Sequence, residues 1–272
     1  MRNPLIIDTT EKTCFTRHDM TQEPHESGED RSRILLAIPV YNEAKYIEPV
    51  LSEVGKYARD ILVVDDGSTD DTPLLLAKHR VEVIRHAVNR GYGRSITDML
   101  RWADFDGYDW LITMDCDEQH EPAAIPEFID AIETMDADVI SGSRYLVTEE
   151  NSDTPPADRR AINGIITDEI NQLLGFKLTD AFCGFKAYRI ASCKALSLDI
   201  TGYEFPMQFW VQAAAHDLRI AEIPVRLIYN DPTRSFGGPL DQSDNRLASY
   251  RSTIQREVNR CSNTLPMLKL NG

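Results

Sequence analysis

Three scarcities constrain this chain before any motif is considered. Cysteine occurs five times, at positions 14, 116, 183, 193 and 261, with no Cys-x-x-Cys pair. That usage excludes a disulfide framework or a thiolate metal centre and suits a reduced, cytoplasmic protein. Long apolar runs are missing: nothing approaches the roughly 18 consecutive apolar residues of a spanning helix, and residues 1–30 lack the apolar centre of a signal peptide. Any membrane contact is therefore expected to be peripheral, on the inner face. Positive charge is also scarce, with 29 Lys+Arg against 44 Asp+Glu and a formal net charge of −15. Residues 101–150 hold 14 acidic residues and two basic ones, Arg101 and Arg144. Such a surface repels a phosphate polymer, which excludes nucleic acid as a partner. A phosphorylated small molecule stays accessible where a divalent cation stands between carboxylates and phosphates.

What is present is an alternation. Of 272 residues 42% are hydrophobic, enough for one large α/β domain. Met1 to about Arg31 is polar and acidic and reads as a mobile arm. Ile34–Ile38, closed by Pro39, reads as a strand buried on both faces. An apolar stripe at Ile47, Val50, Leu51, Val54 and Ala58 has helical spacing, and Pro49 within it leaves the start near Glu43 or near Glu48. Ile61–Val64 is the next buried strand, and Thr72-Pro73 reads as an N-cap with proline at the first helical position. Strands at 81–85, 110–114 and 138–141 then alternate with helical faces at Ile96–Ala103 and Ile125–Ile132. This rhythm predicts βαβ units, a mostly parallel central sheet flanked by helices, and ligand chemistry at the carboxyl ends of the strands. Beyond it, Val147–Asp158 reads as a mobile loop, 161–174 and 205–215 as helices, and 185–188 and 219–228 as strands. Leu247, Tyr250, Arg251, Ile254 and Val258 mark a last helical face. The expected organisation is an arm over 1–31, one domain over 32–240 and a helical extension over 241–272.

Acidic pairs sit where strands end. Asp115-Cys-Asp117 follows Trp110–Met114, and two carboxylates one residue apart can direct one at a metal and one at a ligand or metal-bound water. A hard divalent ion keeps one or two protein carboxylates and takes further oxygens from substrate phosphates. Gln119 adds a neutral oxygen there; a solvated acidic turn is the alternative. Asp65-Asp66-Gly67-Ser68 closes an earlier strand, where a carboxylate accepts hydrogen bonds from a base or from ribose hydroxyls, unless it is only a helix-entry turn. Pro39-Val-Tyr41-Asn42-Glu43 offers a stacking ring and a carboxylate, or a plain turn. Arg90-Gly-Tyr-Gly-Arg94 sets a guanidinium beside flexible backbone, as in a phosphate cradle. His86, His120 and His216 show no i, i+4 pairing and read as structural or surface residues.

Taken together, Ile38-Pro-Val-Tyr-Asn-Glu43, Val63-Val-Asp-Asp-Gly-Ser68, Asn89-Arg-Gly-Tyr-Gly93, Met114-Asp-Cys-Asp-Glu-Gln-His120 and Gly142-Ser-Arg-Tyr145 follow the order and approximate spacing of family 2 glycosyltransferases. The chain resembles most the dolichyl-phosphate mannose synthase branch, which moves a sugar from a nucleoside diphosphate to a polyprenyl phosphate. Asp180-Ala-Phe-Cys-Gly-Phe-Lys-Ala-Tyr188 and Gly202-Tyr-Glu-Phe205 resemble that branch's acceptor-side motifs. The resemblance implies a single GT-A-like domain. It implies nucleoside contacts from Pro39, Tyr41, Glu43, Val64 and Asp66, with Asp65 beside them. It places Asp115, Asp117 and Gln119 on Mg²⁺ or Mn²⁺ and the sugar diphosphate. Arg144 would approach the phosphates or the acceptor. The late basic motif departs from the family's pattern: Asp231-Pro-Thr-Arg234-Ser-Phe-Gly-Gly238 carries one arginine and no following lysine. Gln208 stands where many relatives have a carboxylate.

The expected reaction is inverting transfer of a hexose from a nucleoside-diphosphate sugar, with the cation stabilising the leaving diphosphate. Asp117, Arg144 and Asp180 are the catalytic candidates, and Arg90 and Arg234 are candidates for phosphate contact. A phosphate acceptor is already anionic, whereas a saccharide or small-molecule hydroxyl acceptor needs a base, for which Asp180 or Glu204 would serve. A protein that binds nucleotide sugars without turnover is the competing class. The helix near Leu247–Val258, with Arg246, Arg251, Arg256 and Arg260, is expected either to lie on an anionic membrane surface or to pack on the domain.

Overall fold

The buried apolar runs of the sequence become neighbouring strands of one sheet. The computed structural model describes residues 5–6, 32–117, 120–147, 153–229 and 242–265. Strands β1 (Leu5–Ile6), β2 (Ile34–Val40), β3 (Ile61–Asp65), β4 (Glu82–Arg85), β5 (Trp110–Thr113), β6 (Val139–Ser143), β7 (Lys186–Arg189) and β8 (Ile220–Pro224) form an eight-stranded sheet in the order β1-β4-β3-β2-β5-β7-β6-β8. Only β7 runs antiparallel to its neighbours. Every residue of β3 and β5 is buried, as expected of strands covered on both faces. The helices that cover them are α1 (Ala44–Val54), α2 (Thr72–Leu76), α3 (Tyr92–Phe105), α4 (Ile125–Thr134), α5 (Ala157–Leu174), α6 (Ile190–Cys193), α7 (Phe205–Ala215) and α8 (Ser243–Arg260). One apolar cluster lies under α3, α5, α7 and α8, the other under α1 and α4.

Several boundaries differ from the sequence reading for local reasons. α1 begins at Ala44 and holds Pro49 inside it, because its apolar face at Ile47, Val50, Leu51 and Val54 is buried against the sheet. Thr72 is the first residue of α2 rather than its cap; its hydroxyl accepts from the Glu43 amide at 2.9 Å. α5 starts at Ala157, directly after Pro155-Pro156, inside the segment expected to be loop. β8 stops at Pro224, which has no amide hydrogen with which to continue a ladder. Leu5–Ile6 pair in parallel with Ile84 and Arg85, so this part of the expected arm is joined to the sheet. The rest of that arm lies outside the described residues.

α8 packs against α7 and α5. Arg246, Tyr250, Ile254 and Glu257 are buried, and the Tyr250 ring lies 5.0 Å from that of Phe182. The stripe that suited either a membrane surface or the domain is therefore turned into the domain. No helix among the described residues is long and apolar enough to cross a membrane. Truncating Tyr250, which is 2% exposed, to alanine is expected to lower stability by about 3 kcal/mol, as for other buried aromatic rings. An unchanged denaturant midpoint for Tyr250→Ala would show that α8 is not part of the cooperative core.

Candidate active site

The chain passes from β2 outward to β3 and β4, then returns to β5 on the other side of β2. Such a reversal opens a crevice at the carboxyl ends of the central strands. A cleft of about 930 Å³ lies there. Pro39, Tyr41 and Glu43 enter it from β2, Asp66 from β3, Asp115 and Asp117 from β5, and Arg144 from β6.

The turn after β2 is held by the loop after β3. Asn42 has φ 56, a left-handed conformation that asparagine tolerates. Its amide donates to Ser68 Oγ at 2.9 Å, and its Oδ1 accepts from the Thr69 amide at 2.8 Å. The Ala44 amide reaches Asp70 Oδ2 at 3.2 Å. Tyr41 is thereby left 45% exposed at the mouth of the cleft.

Asp66 organises the opposite turn. Its Oδ1 accepts from the Arg90 amide at 2.7 Å and meets His86 Nδ1 at 2.6 Å, while Oδ2 accepts from the Gly91 amide at 2.8 Å. Gly91 has φ +97, and a Cβ there would lie 2.3 Å from the Thr201 carbonyl oxygen, so only glycine fits. His86 Nε2 meets Asp98 Oδ2 at 3.1 Å, and Arg94 Nε donates to that same oxygen at 2.5 Å. Burial opposes charge on His86, yet its hydrogen bonds to Asp66 and Asp98 outweigh burial and raise its pKa above the ordinary 6.5. The histidine read as structural is the centre of a charged chain that ends in the cleft.

Three of the expected contact residues do not line the cleft. Val64 is fully buried in the core under α3. Asp65 accepts from the Ser68 amide at 2.8 Å and pairs with Arg85 Nε at 3.1 Å, which makes it a brace for its own loop. Arg90 contributes its amide to Asp66, and its neighbours Asn89 and Gly91 line the cleft in its place. Gln119 and Arg234 lie outside the described residues.

The acidic pair on β5 rests on a buried imidazole. His120 Nδ1 accepts from the Asp115 amide at 2.9 Å, which leaves Nε2 to carry the proton, 3.9 Å from Cys183 Sγ. Burial pushes the pKa of His120 down to about 4, so the acceptor nitrogen stays available at neutral pH. Gly184 forms the adjoining floor, its carbonyl held by Thr113 Oγ1 at 2.8 Å. A Cβ on Gly184 would come within 2.6 Å of Asp115 Oδ2 and 3.1 Å of the Tyr92 hydroxyl, so the carboxylate occupies space that only glycine leaves. No group of three or more His, Cys, Asp and Glu among the described residues would hold a metal by itself. Asp115 and Asp117 do fit a hard divalent ion whose remaining oxygens come from substrate and water.

Asp180, one of the catalytic candidates, pairs with Arg144. It is fully buried and receives Arg144 Nε at 2.6 Å and Nη2 at 2.9 Å, a two-point pairing that fixes the guanidinium plane. The Asn163 amide at 2.8 Å and the Phe182 backbone amide at 3.1 Å complete its acceptor capacity. Burial alone would raise its pKa, but Arg144 holds it at about 2. Gln208 is likewise buried: its Oε1 accepts from the Asp199 and Ile200 amides, both at 2.9 Å.

Other residues enter the cleft that the sequence did not assign to a site. Arg159 and Asn163 come from α5, Arg246 and Tyr250 from α8, and Tyr92 stacks on Tyr203 at 5.8 Å. Their spacing along the chain carries no signal, because helices remote in sequence bring them together. Lys186 also lines the cleft, although the motif containing it had been noted.

The family model for glycosyl transferase family 2 matches residues 36–197. This chain is a family 2 glycosyltransferase. It is 31% identical over 206 residues to the undecaprenyl-phosphate mannosyltransferase of Micrococcus luteus, covering 72% of this chain and 84% of that protein. It is 28% identical over 225 residues to the UDP-N-acetylglucosamine--dolichyl-phosphate N-acetylglucosaminyltransferase of Methanococcus voltae, covering 75% of this chain and 89% of that one. The glucosyl-3-phosphoglycerate synthase of Mycobacterium tuberculosis, solved with Mn²⁺, UDP and glucosyl-3-phosphoglycerate, superposes with a TM-score of 0.57 at 18% identity, covering 85% of this chain and 80% of that one. The enzyme thus has the GT-A-like fold expected from its motifs.

His86 supplies a pH test. Its raised folded-state pKa contributes stability that is fully present below the ordinary value of 6.5 and is lost as pH rises through the folded value. The melting temperature is expected to fall across that interval in the wild type and to fall less in His86→Gln. Parallel profiles for the two proteins would remove His86 from the charged chain.

Proposed function

We propose that this glycosyltransferase moves a hexose, with inversion, from a nucleoside-diphosphate sugar to a polyprenyl phosphate, and that the transfer depends on Mg²⁺ or Mn²⁺. The observation that carries the choice of acceptor is the fate of the two carboxylates a hydroxyl acceptor would need. Asp180 is fully occupied by Arg144, Asn163 and Phe182. Glu204 bonds Ser249 Oγ at 2.7 Å and lines a separate depression beside α8. A phosphate acceptor needs neither, since its attacking oxygen is already anionic. Arg144, Arg159 and Arg246 supply the positive charge to receive it. The names of the Micrococcus and Methanococcus relatives point to the same acceptor class.

In this reading Pro39, Tyr41, Glu43 and Asp66 receive the nucleoside, and Asp115 and Asp117 receive the divalent ion. Bound there, the ion supplies Lewis-acid neutralisation of the diphosphate. The acceptor oxygen attacks the anomeric carbon as the bond to the β-phosphate oxygen breaks on the opposite side, and the electron pair leaves with the diphosphate. One displacement of this kind inverts the anomeric centre. Arg144, fixed in its plane by Asp180, orients a phosphate without reorganising. The two named relatives differ in the sugar they carry, so the sugar is settled by assay. A polyprenyl chain places the acceptor in a bilayer, and contact with it is peripheral. Leu146 and Val147, exposed directly after the cleft residue Tyr145, suit that contact.

Incubation with Mn²⁺ and a panel of UDP- and GDP-sugars is expected to transfer sugar to a polyprenyl phosphate and not to the matching polyprenol. Binding of a nucleotide sugar without transfer to any acceptor would favour the non-catalytic reading. Asp117→Ala is expected to abolish the Mn²⁺-dependent part of nucleoside-diphosphate affinity in calorimetry; an unchanged affinity removes Asp117 from the site. Gly184→Ala is expected to weaken the same affinity about tenfold while the protein stays folded, because the added methyl group displaces the Asp115 carboxylate.

A further inference from the structure

Lys186 is the first residue of β7, placed beside Thr113 of β5 and Ser141 of β6 by the antiparallel register. Its side chain is buried, with the residue only 3% exposed, yet it forms part of the cleft wall. An ammonium group carries three N–H donors. Among the described residues one acceptor meets them, the Cys183 carbonyl oxygen; the ring of Trp210 lies 5.3 Å from Nζ. The nearby carboxylates are already committed. Asp180 takes the guanidinium of Arg144 together with Asn163 and Phe182. Glu222 takes the Thr179 amide and hydroxyl and the Asp180 amide. Burial pushes the Cys183 thiol up to about 11, so it stays neutral and offers no countercharge. Half-buried Arg144 and buried Lys186 therefore share a cleft wall in which Asp180 and Glu222 are already engaged. A buried charge without a full set of partners is costly, and an anion entering the cleft would complete the set.

We propose that Lys186 is a catalytic phosphate-binding residue: its ammonium donates to a substrate phosphate alongside Arg144. The inference rests on the proposed reaction and names a contact within it. The phosphate belongs either to the donor diphosphate, where Lys186 stabilises the charge that leaves with the β-phosphate, or to the acceptor, where it holds the attacking group.

Two affinities separate these sources in Lys186→Met and Lys186→Arg. The first is calorimetric affinity for the nucleoside diphosphate, measured beside that for the nucleoside alone. The second is KM for the polyprenyl phosphate, measured beside kcat. Lys186→Met is expected to lose roughly 10- to 100-fold in one of the two phosphate affinities, with nucleoside affinity unchanged, and Lys186→Arg to retain most of it. Equal losses for nucleoside and nucleoside diphosphate would show a structural role, and no loss in either phosphate affinity would also overturn the proposal. A second measurement needs no variant. Amine labelling of Lys186 in the wild type, followed by mass spectrometry, is expected to slow with the phosphate ligand and not with the nucleoside; labelling indifferent to both phosphates overturns the contact. If the wild type binds nucleoside diphosphate but transfers no sugar, the proposed reaction fails while the donor arm still decides Lys186.

Discussion

Parallel pairing of β2 with β3 on one side and β5 on the other is the constraint on which the site depends. The register sets Val40 beside Asp65 and Ala37 beside Thr113, so all three strands deliver their carboxyl ends to one edge. Three turns of very different sequence then open into one crevice. None of them is held by its own strand alone. Asn42 is tied to the Ser68–Asp70 loop, Asp66 to the Arg90–Gly91 turn, and Asp115 to His120. Slipping one strand by a residue would reverse its side chains and dismantle each of these ties.

Around the cleft, charged side chains divide into those that meet one another and those that face the opening. Asp65, Asp98, Asp180 and Glu222 belong to the first group and lock backbone amides or guanidinium groups. Asp98 steadies Asp66 through His86, and Asp180 holds Arg144 in place on the wall. The acidic excess of residues 101–150 is thus partly architectural: Asp138, for example, pairs with Arg219 and caps the start of its own strand's neighbour.

The central fold was legible because buried strands announce themselves as short apolar runs and their helices as stripes of period 3.6. The turns after β2, β3 and β5 were ambiguous singly, since Asp, Gly and Ser are ordinary turn residues, and stood out only through their order and spacing together. Legibility failed where a residue's role depends on what lies across space. Asp65 and Asp66 are adjacent and chemically identical, yet one braces a loop and the other lines the cleft; the pleat that separates them is invisible in composition. Asp180 was read as a candidate base because its pairing with Arg144, 36 positions away, leaves no mark in the sequence. His86 and His120 carried no spacing signal, since the partners of His86 are aspartates after β3 and on α3 and that of His120 is a backbone amide. α8 was ambiguous because an apolar stripe with arginines suits lipid and protein equally, and only packing against Phe182 decides.

β5 also shapes how the molecule reaches its native state. β2 and β3 pair across 25 positions and β3 and β4 across 20, but both partners of Trp110 are distant in sequence, Ile34 lying 76 positions before it and Arg189 79 positions after it. Closing a loop of that length costs chain entropy before any contact returns it. The half of the cleft that holds Asp66 and the Asn42 turn is therefore favoured to form early. The side completed by Asp115, Gly184 and Lys186 needs the two long closures around β5, and is expected to form later.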